Sequence, residues 1–155
     1  MAMDLDIATA LIAVAEAMRP ARDPWWIIGS AAAVLLGGAT SVADIDVLTS
    51  RRDAEALVLR LGLTVAAPDR HPQFRSRLFA RWQRADRDVE IMGELMLADG
   101  PAWQSMTPRT RQARPVATST VYVPGRAEMI AILTRFGRDK DRERAHILEC
   151  TGAPG

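Results

Sequence analysis

Apolar residues recur at helical spacing over residues 5–19, LDIATALIAVAEAMR, where Leu5, Ala8, Leu11, Ile12, Ala15 and Met18 fall on one face. Pro20 and Pro24 end that helix. Residues 25–28 (WWII) are apolar throughout, as a short buried strand would be. Gly29-Ser30 then turns the chain into a helical stretch over 31–36, which Gly37-Gly38 stops. Residues 43–49 (ADIDVLT) alternate acid and apolar side chains with period two, a strand signature. A helix over 53–61 closes at Gly62, a short strand follows over 63–66, and 68–72 is a proline-bounded loop. Residues 74–82 and 86–92 read as two strands of a hairpin turning around 83–85. Residues 94–120 carry no clear period. A short strand over 120–123 precedes helices over 127–136 and 139–149, separated by Gly137. The pattern is α/β (α+β) with a helical C-terminal third.

The 155 residues suit one domain over 1–150 with a flexible tail over 151–155. Hydrophobic residues make up 48% and charged residues 25%, which excludes a disordered chain, a collagen and a coiled-coil rod. The 20 basic and 19 acidic residues leave +1, so a strongly basic nucleic-acid coat is excluded, although a local basic face is not. Two His and one Cys are too few for a Cys/His zinc cage. Cys150 has no internal disulfide partner, which points to a reducing cytoplasm. Asp4 and Asp6 stand where a signal peptide would be basic, and no stretch reaches the roughly 18 apolar residues of a membrane span.

Three features carry chemistry: Gly29-Ser30 after a strand, Asp44-Ile45-Asp46-Val47 after a gap of thirteen residues, and Asp88-Val89-Glu90-Ile91. Residues i and i+2 of a strand share a face, so Asp44 and Asp46 project together while Ile45 and Val47 face the core. Paired carboxylates repel unless a cation lies between them. Hard Mg²⁺, or Mn²⁺, takes such oxygen ligands together with substrate phosphates. A third carboxylate from another strand would complete a two-metal site that orients a triphosphate. At Gly29 the backbone can approach a phosphate closely, and the Ser30 hydroxyl adds a donor.

The order apolar-Gly-Ser, gap, Asp-apolar-Asp-apolar resembles the DNA polymerase β-like nucleotidyltransferase superfamily, in its small stand-alone form. Minimal members are linked to toxin–antitoxin systems and to antibiotic modification. The resemblance implies a palm-like mixed sheet flanked by helices. It implies metal-dependent transfer of a nucleoside monophosphate from an NTP to a hydroxyl acceptor, whether small molecule, RNA or protein. Asp44 and Asp46 would bind the metals. Glu90, with Asp88 as the alternative, would supply the third carboxylate, and Gly29 and Ser30 would hold the triphosphate. Residues 126–149 resemble the helical ending of small members, with Arg138, Lys140 and Asp141 opening the last helix. The third acid is Glu where Asp is more usual, and residues 129–133 are apolar where relatives often carry Lys.

A blander reading makes Asp44 and Asp46 the solvated face of an edge strand. A different functional class is a catalytically inactive binding module acting through a protein partner or a second copy. Arg75, Arg77 and Arg81 share strand parity with one another, and Arg70, Arg84 and Arg87 lie nearby. They form a basic face that suits phosphates or solvent. Arg109, Arg111 and Arg114 fall in the aperiodic region as surface residues or a phosphate clamp. Trp82 and Trp103 suit packing more than base stacking. His71 reads as surface and His146 as structural, and Cys150 reads as lacking a His or Asp neighbour in register.

Overall fold

The computed structural model describes residues 3–67 and 71–151. Arg70, the start of the 68–72 loop and the 152–155 part of the tail lie outside the described residues. The element order is α1 (Leu5–Ala17), β1 (Trp26–Ile28), α2 (Gly29–Leu35), β2 (Ile45–Thr49), α3 (Arg51–Leu61), β3 (Phe74–Trp82) and β4 (Val89–Asp99), then β5 (Ala102–Ser105), β6 (Gln112–Val116), β7 (Ser119–Val123), α4 (Arg126–Phe136) and α5 (Asp139–Thr151). The main sheet runs β1-β2-β4-β3 with β5 continuing alongside β4, and β6–β7 form a separate hairpin. β1 is antiparallel to β2, β2 is parallel to β4, and β3 is antiparallel to β4, so the sheet is mixed. No helix among the described residues is long and apolar enough to cross a membrane.

The register explains the two faces. One transverse row reads Ile27, Val47, Ile91 and Ala80 across four strands, and its exposures are 0%, 1%, 0% and 0%. Burying each of the larger side chains there contributes about 1.5–3 kcal/mol. α3 covers this face closely. A Cβ on Gly93 would stand 2.7 Å from the Ala54 Cβ, so glycine is what lets α3 lie against β4. The adjacent row reads Ile28, Asp46, Glu90 and Arg81. Cross-strand neighbours share a face, so this second row points away from α3.

Several elements differ from the sequence expectation. α1 buries Ile7, Ala10, Leu11, Val14 and Ala15, and Leu5 is 78% exposed. Because that helix is apolar over most of its circumference, period alone does not select the stripe. α2 starts at Gly29 rather than Ala31, and Asp44 lies just before β2. The strand expected over 63–66 is a single bridge, Val65 to Ala80. β4 runs eleven residues, to Asp99, and the aperiodic 94–120 region holds its second half together with β5 and β6. Thr151, read as tail, belongs to α5.

Candidate functional site

Gly29 ends β1 and begins α2 with φ +69°, a left-handed conformation that suits glycine. A Cβ there would stand 2.5 Å from Asp46 Oδ2, so the backbone turn presses directly on that carboxyl. Ser30 follows in the first turn of α2 and is buried. Asp46, in β2, pairs in register with Ile28 on one side and Glu90 on the other. The sequence-derived residues Gly29, Ser30, Asp46 and Glu90 are therefore brought together, with Asp44 immediately before the strand.

Burial raises the Asp46 carboxyl from 3.8 to about 8, reinforced by the Glu90 charge, a hydrogen bond to the Glu90 carboxyl and the Asp44 charge. The Arg138 guanidinium pulls in the opposite direction, which places a positive group near the acids. Arg138 stands between α4 and α5 and grips buried Asp141 with Nε 2.6 Å and Nη2 3.1 Å from its two oxygens. Asp141 also accepts from the Arg138 backbone N–H, so the junction is fixed from both ends.

Glu90 and Asp88 have different surroundings. Glu90 Oε1 accepts from Arg81 Nη2 at 2.7 Å, across the β3–β4 pair. Asp88 Oδ1 accepts from the Arg84 backbone N–H at 3.1 Å and belongs to the hairpin loop. Among the described residues, no three His, Cys, Asp or Glu side chains already stand grouped at ligand spacing. Asp44, Asp46 and Glu90 interact, but Arg81 holds Glu90 to one side. The donor set nonetheless fits a hard divalent cation. It is made of carboxylate oxygens, and the Asp46 proton occupies a place that a cation would otherwise neutralise.

The sequence reading did not assign Arg81 to the site, although its register opposite Glu90 was the available signal. The other two arginines of that strand face are also engaged. Arg75 stacks 4.1 Å from the Trp103 ring centre, and Arg77 approaches Glu94 at 4.0 Å. Trp82 carries Arg84 over its ring at 4.7 Å, while Trp25 and Trp26 are both core. His71 Nδ1 accepts the backbone N–H groups of Gln73 and Phe74. The reading of Cys150 is corrected: its Sγ lies 3.6 Å from His146 Nε2, one helical turn away on exposed α5.

No protein-family model matches the chain, and no curated protein matches its sequence. Solved structures share its fold. A Thermotoga maritima protein assigned as a nucleotidyltransferase superposes with a TM-score of 0.78 at 16% identity, over 94% of this chain and 93% of that one. The antibiotic-resistance factor ANT(2'')-Ia superposes with a TM-score of 0.62 at 16% identity, over 97% of this chain and 86% of that one. The lincosamide antibiotic adenylyltransferase LnuA, in a lincomycin-bound structure, gives 0.61 at 10% identity, over 92% and 96%.

Proposed function

The chain has the nucleotidyltransferase fold, and we propose that it is an enzyme of that chemistry. In this reading it moves a nucleoside monophosphate from an NTP to a hydroxyl acceptor and releases pyrophosphate. The observation that carries this reading is the row in which Asp46 and Glu90 stand side by side with Gly29 pressed against Asp46. Burial beside Glu90 pushes the Asp46 ionisation well above the ordinary carboxylate range, and carboxyls perturbed in this way cluster at functional sites.

Asp44, Asp46 and Glu90 would hold Mg²⁺ or Mn²⁺, which when bound supplies charge neutralisation for the triphosphate and the leaving pyrophosphate. In this reading the backbone at Gly29, free of a side chain, and the Ser30 hydroxyl would contact phosphate oxygens. Glu90, once released from Arg81, would take the acceptor proton. One acceptor O–P bond then forms as the P–O bond to pyrophosphate breaks. Arg138, fixed by Asp141, contributes positive charge close to the acids. A small hydroxyl-bearing molecule is the first acceptor class to test. LnuA holds lincomycin, and a second ANT(2'')-Ia structure holds adenylyl-2''-tobramycin.

The second reading, an inactive module acting through a protein partner, draws on one observation. Glu90 is occupied by Arg81. Thermal unfolding with each of ATP, GTP, CTP and UTP, with and without Mg²⁺, separates the two. Ligands that bind the native state raise its unfolding temperature. A nucleotide shift that needs the cation and vanishes in Asp44→Asn/Asp46→Asn supports the enzyme. No shift with any nucleotide supports the module.

A further inference from the structure

A cavity of about 600 Å³ lies away from the carboxylate row. Trp25, on its wall, precedes β1, whereas Gly29 follows it. The two openings are therefore roughly 13 Å apart along the chain at ~3.3 Å per strand residue. The wall is built from the end of α1, the 18–25 segment and the β6–β7 hairpin. It carries Arg19, Arg22 and Arg111, the aromatic residues Trp25 and Tyr122, and hydroxyls that include Ser119.

Arg111 is held in place by its neighbours. The Glu128 carboxylate accepts the backbone N–H groups of Arg109 and Thr110, each at 2.8 Å. Burial works to raise the Glu128 carboxyl, but the Thr110 hydroxyl and these two N–H groups outweigh it and hold it below its ordinary value. Trp26 Nε1 donates to the Thr110 carbonyl at 2.9 Å. The next residue is Arg111, whose Nε donates to the Trp25 carbonyl at 3.1 Å and whose guanidinium lies 3.4 Å from the Tyr122 ring centre. Trp25 meets that ring edge-on at 5.2 Å. Desolvation pulls the Arg111 side chain below the ordinary arginine value.

Among the described residues, Arg19, Arg22 and Arg111 form no ion pair within 4.0 Å. The one carboxylate on the wall, Asp23, is gripped by Arg52 at 2.6 and 2.7 Å and by the Ser50 hydroxyl. Three guanidinium groups against one carboxylate leave the wall at +2. An exposed guanidinium that is stacked on Tyr122, tied to the Trp25 carbonyl and without a counter-ion is a half-built anion site.

We propose that this cavity is a second binding site, for a small phosphomonoester. The dianionic phosphate matches the +2 wall, and three phosphate oxygens use forked guanidinium donors and hydroxyls more fully than a carboxylate would. A cavity of this volume, within the ordinary range for small-ligand pockets, also admits a sugar-sized body. The site does not depend on the carboxylate row, and a ligand there stabilises the 18–25 segment and the hairpin together.

The test is calorimetric titration of the full chain with ribose 5-phosphate in EDTA, with ribose and acetate as controls. Wild type and Asp46→Asn should bind ribose 5-phosphate alike, and neither control should bind. Arg111→Gln should weaken binding about tenfold or more, the loss of charge-assisted hydrogen bonds, and Arg111→Lys should weaken it less. The exposed pair Arg19→Gln/Arg22→Gln should also weaken binding, and steepen the loss when combined with Arg111→Gln. The proposal is overturned if ribose 5-phosphate does not bind wild type, if acetate or ribose binds as tightly, if Asp46→Asn abolishes binding, or if Arg111→Gln and Arg19→Gln/Arg22→Gln each bind like wild type.

Discussion

Replacing Asp46 by Asn should make the metal-free protein more stable at alkaline pH while removing its proposed chemistry. The folded-state carboxyl titrates near 8, against 3.8 as its ordinary value. Between those pH values the folded chain keeps a proton that the unfolded chain has released. Stability therefore falls as pH rises through that window, and the penalty is complete above about 8. Four pH units at about 1.4 kcal/mol each set a ceiling near 6 kcal/mol. Asp46 is partly exposed, so solvent screening leaves roughly half of that ceiling, about 3 kcal/mol, as the working figure. Asn keeps the shape and the hydrogen bond to Glu90 without the charge.

The assay is thermal unfolding by circular dichroism in EDTA at pH 5 and pH 8. At pH 8 the variant should melt roughly 10 °C higher than wild type, since 1 kcal/mol moves a chain of this size by about 2–4 °C. At pH 5 the two should differ by much less. Mg²⁺ with nucleotide should then raise wild type at pH 8 and leave the variant unmoved. An Asp46→Asn protein no more stable at pH 8 than wild type, or equally stabilised at both pH values, would refute the reasoning.

Three more perturbations test particular contacts. Gly29→Ala puts a Cβ 2.5 Å from Asp46 Oδ2 at φ +69°; it should cost about 1–2 kcal/mol in denaturant titrations and abolish the nucleotide-dependent melting shift. Gly93→Ala drives a Cβ to 2.7 Å from Ala54 Cβ and should cost about 1–3 kcal/mol by urea unfolding, with Gly93→Ala/Ala54→Gly recovering most of it. Arg126 donates to the Leu148 carbonyl of α5 at 3.0 Å and to the Leu36 carbonyl that closes α2; Arg126→Ala should cost about 3 kcal/mol and loosen both helices together by hydrogen exchange.

What the sequence made legible follows the reach of each signal. Period-two alternation identified β2 and put Asp44 and Asp46 on one face of it, because that signal is local, although Asp44 falls just before the strand. Glu90 was identified on its own alternation, but its neighbours were not. Whether it meets Asp46 depends on β2 and β4 pairing in parallel, a contact across 44 positions that no local pattern encodes. The same pairing sets Glu90 in register with Asp46, while the Asp88 carboxylate accepts from the Arg84 backbone N–H in the hairpin loop. Residues 94–120 resisted reading because β4 leaves its β2 neighbour near Gly93 and takes up β5, while Glu94 adopts φ +59° at the changeover. β4 keeps period-two burial through the changeover, but Leu95, Met96, Leu97 and Ala98 are apolar on both faces, so the sequence does not show the alternation. Arg111 was read among surface or clamp residues; only the fold brings Tyr122 and Trp25 beneath it.

The two neighbouring rows of the sheet have opposite energetic signs, and this bears on function. In the acid row the Asp46 ionisation, resisted by burial and by the neighbouring acids, opposes stability as pH rises. The adjacent row, Ile27-Val47-Ile91-Ala80, offsets that cost with four residues at or near complete burial. Because the rows alternate along the same strands, the core row also fixes the backbone on which the acids stand. Arg81 and Arg138 approach the acid row from β3 and from the α4–α5 junction, so positive charge flanks the acids. A purely structural salt-bridge network would neutralise Asp46 with one of these arginines. Arg138 is instead engaged by Asp141 and Arg81 by Glu90. Among the described residues Asp46 has no ion-pair partner within 4.0 Å, the condition under which the proposed divalent cation would gain most by binding there.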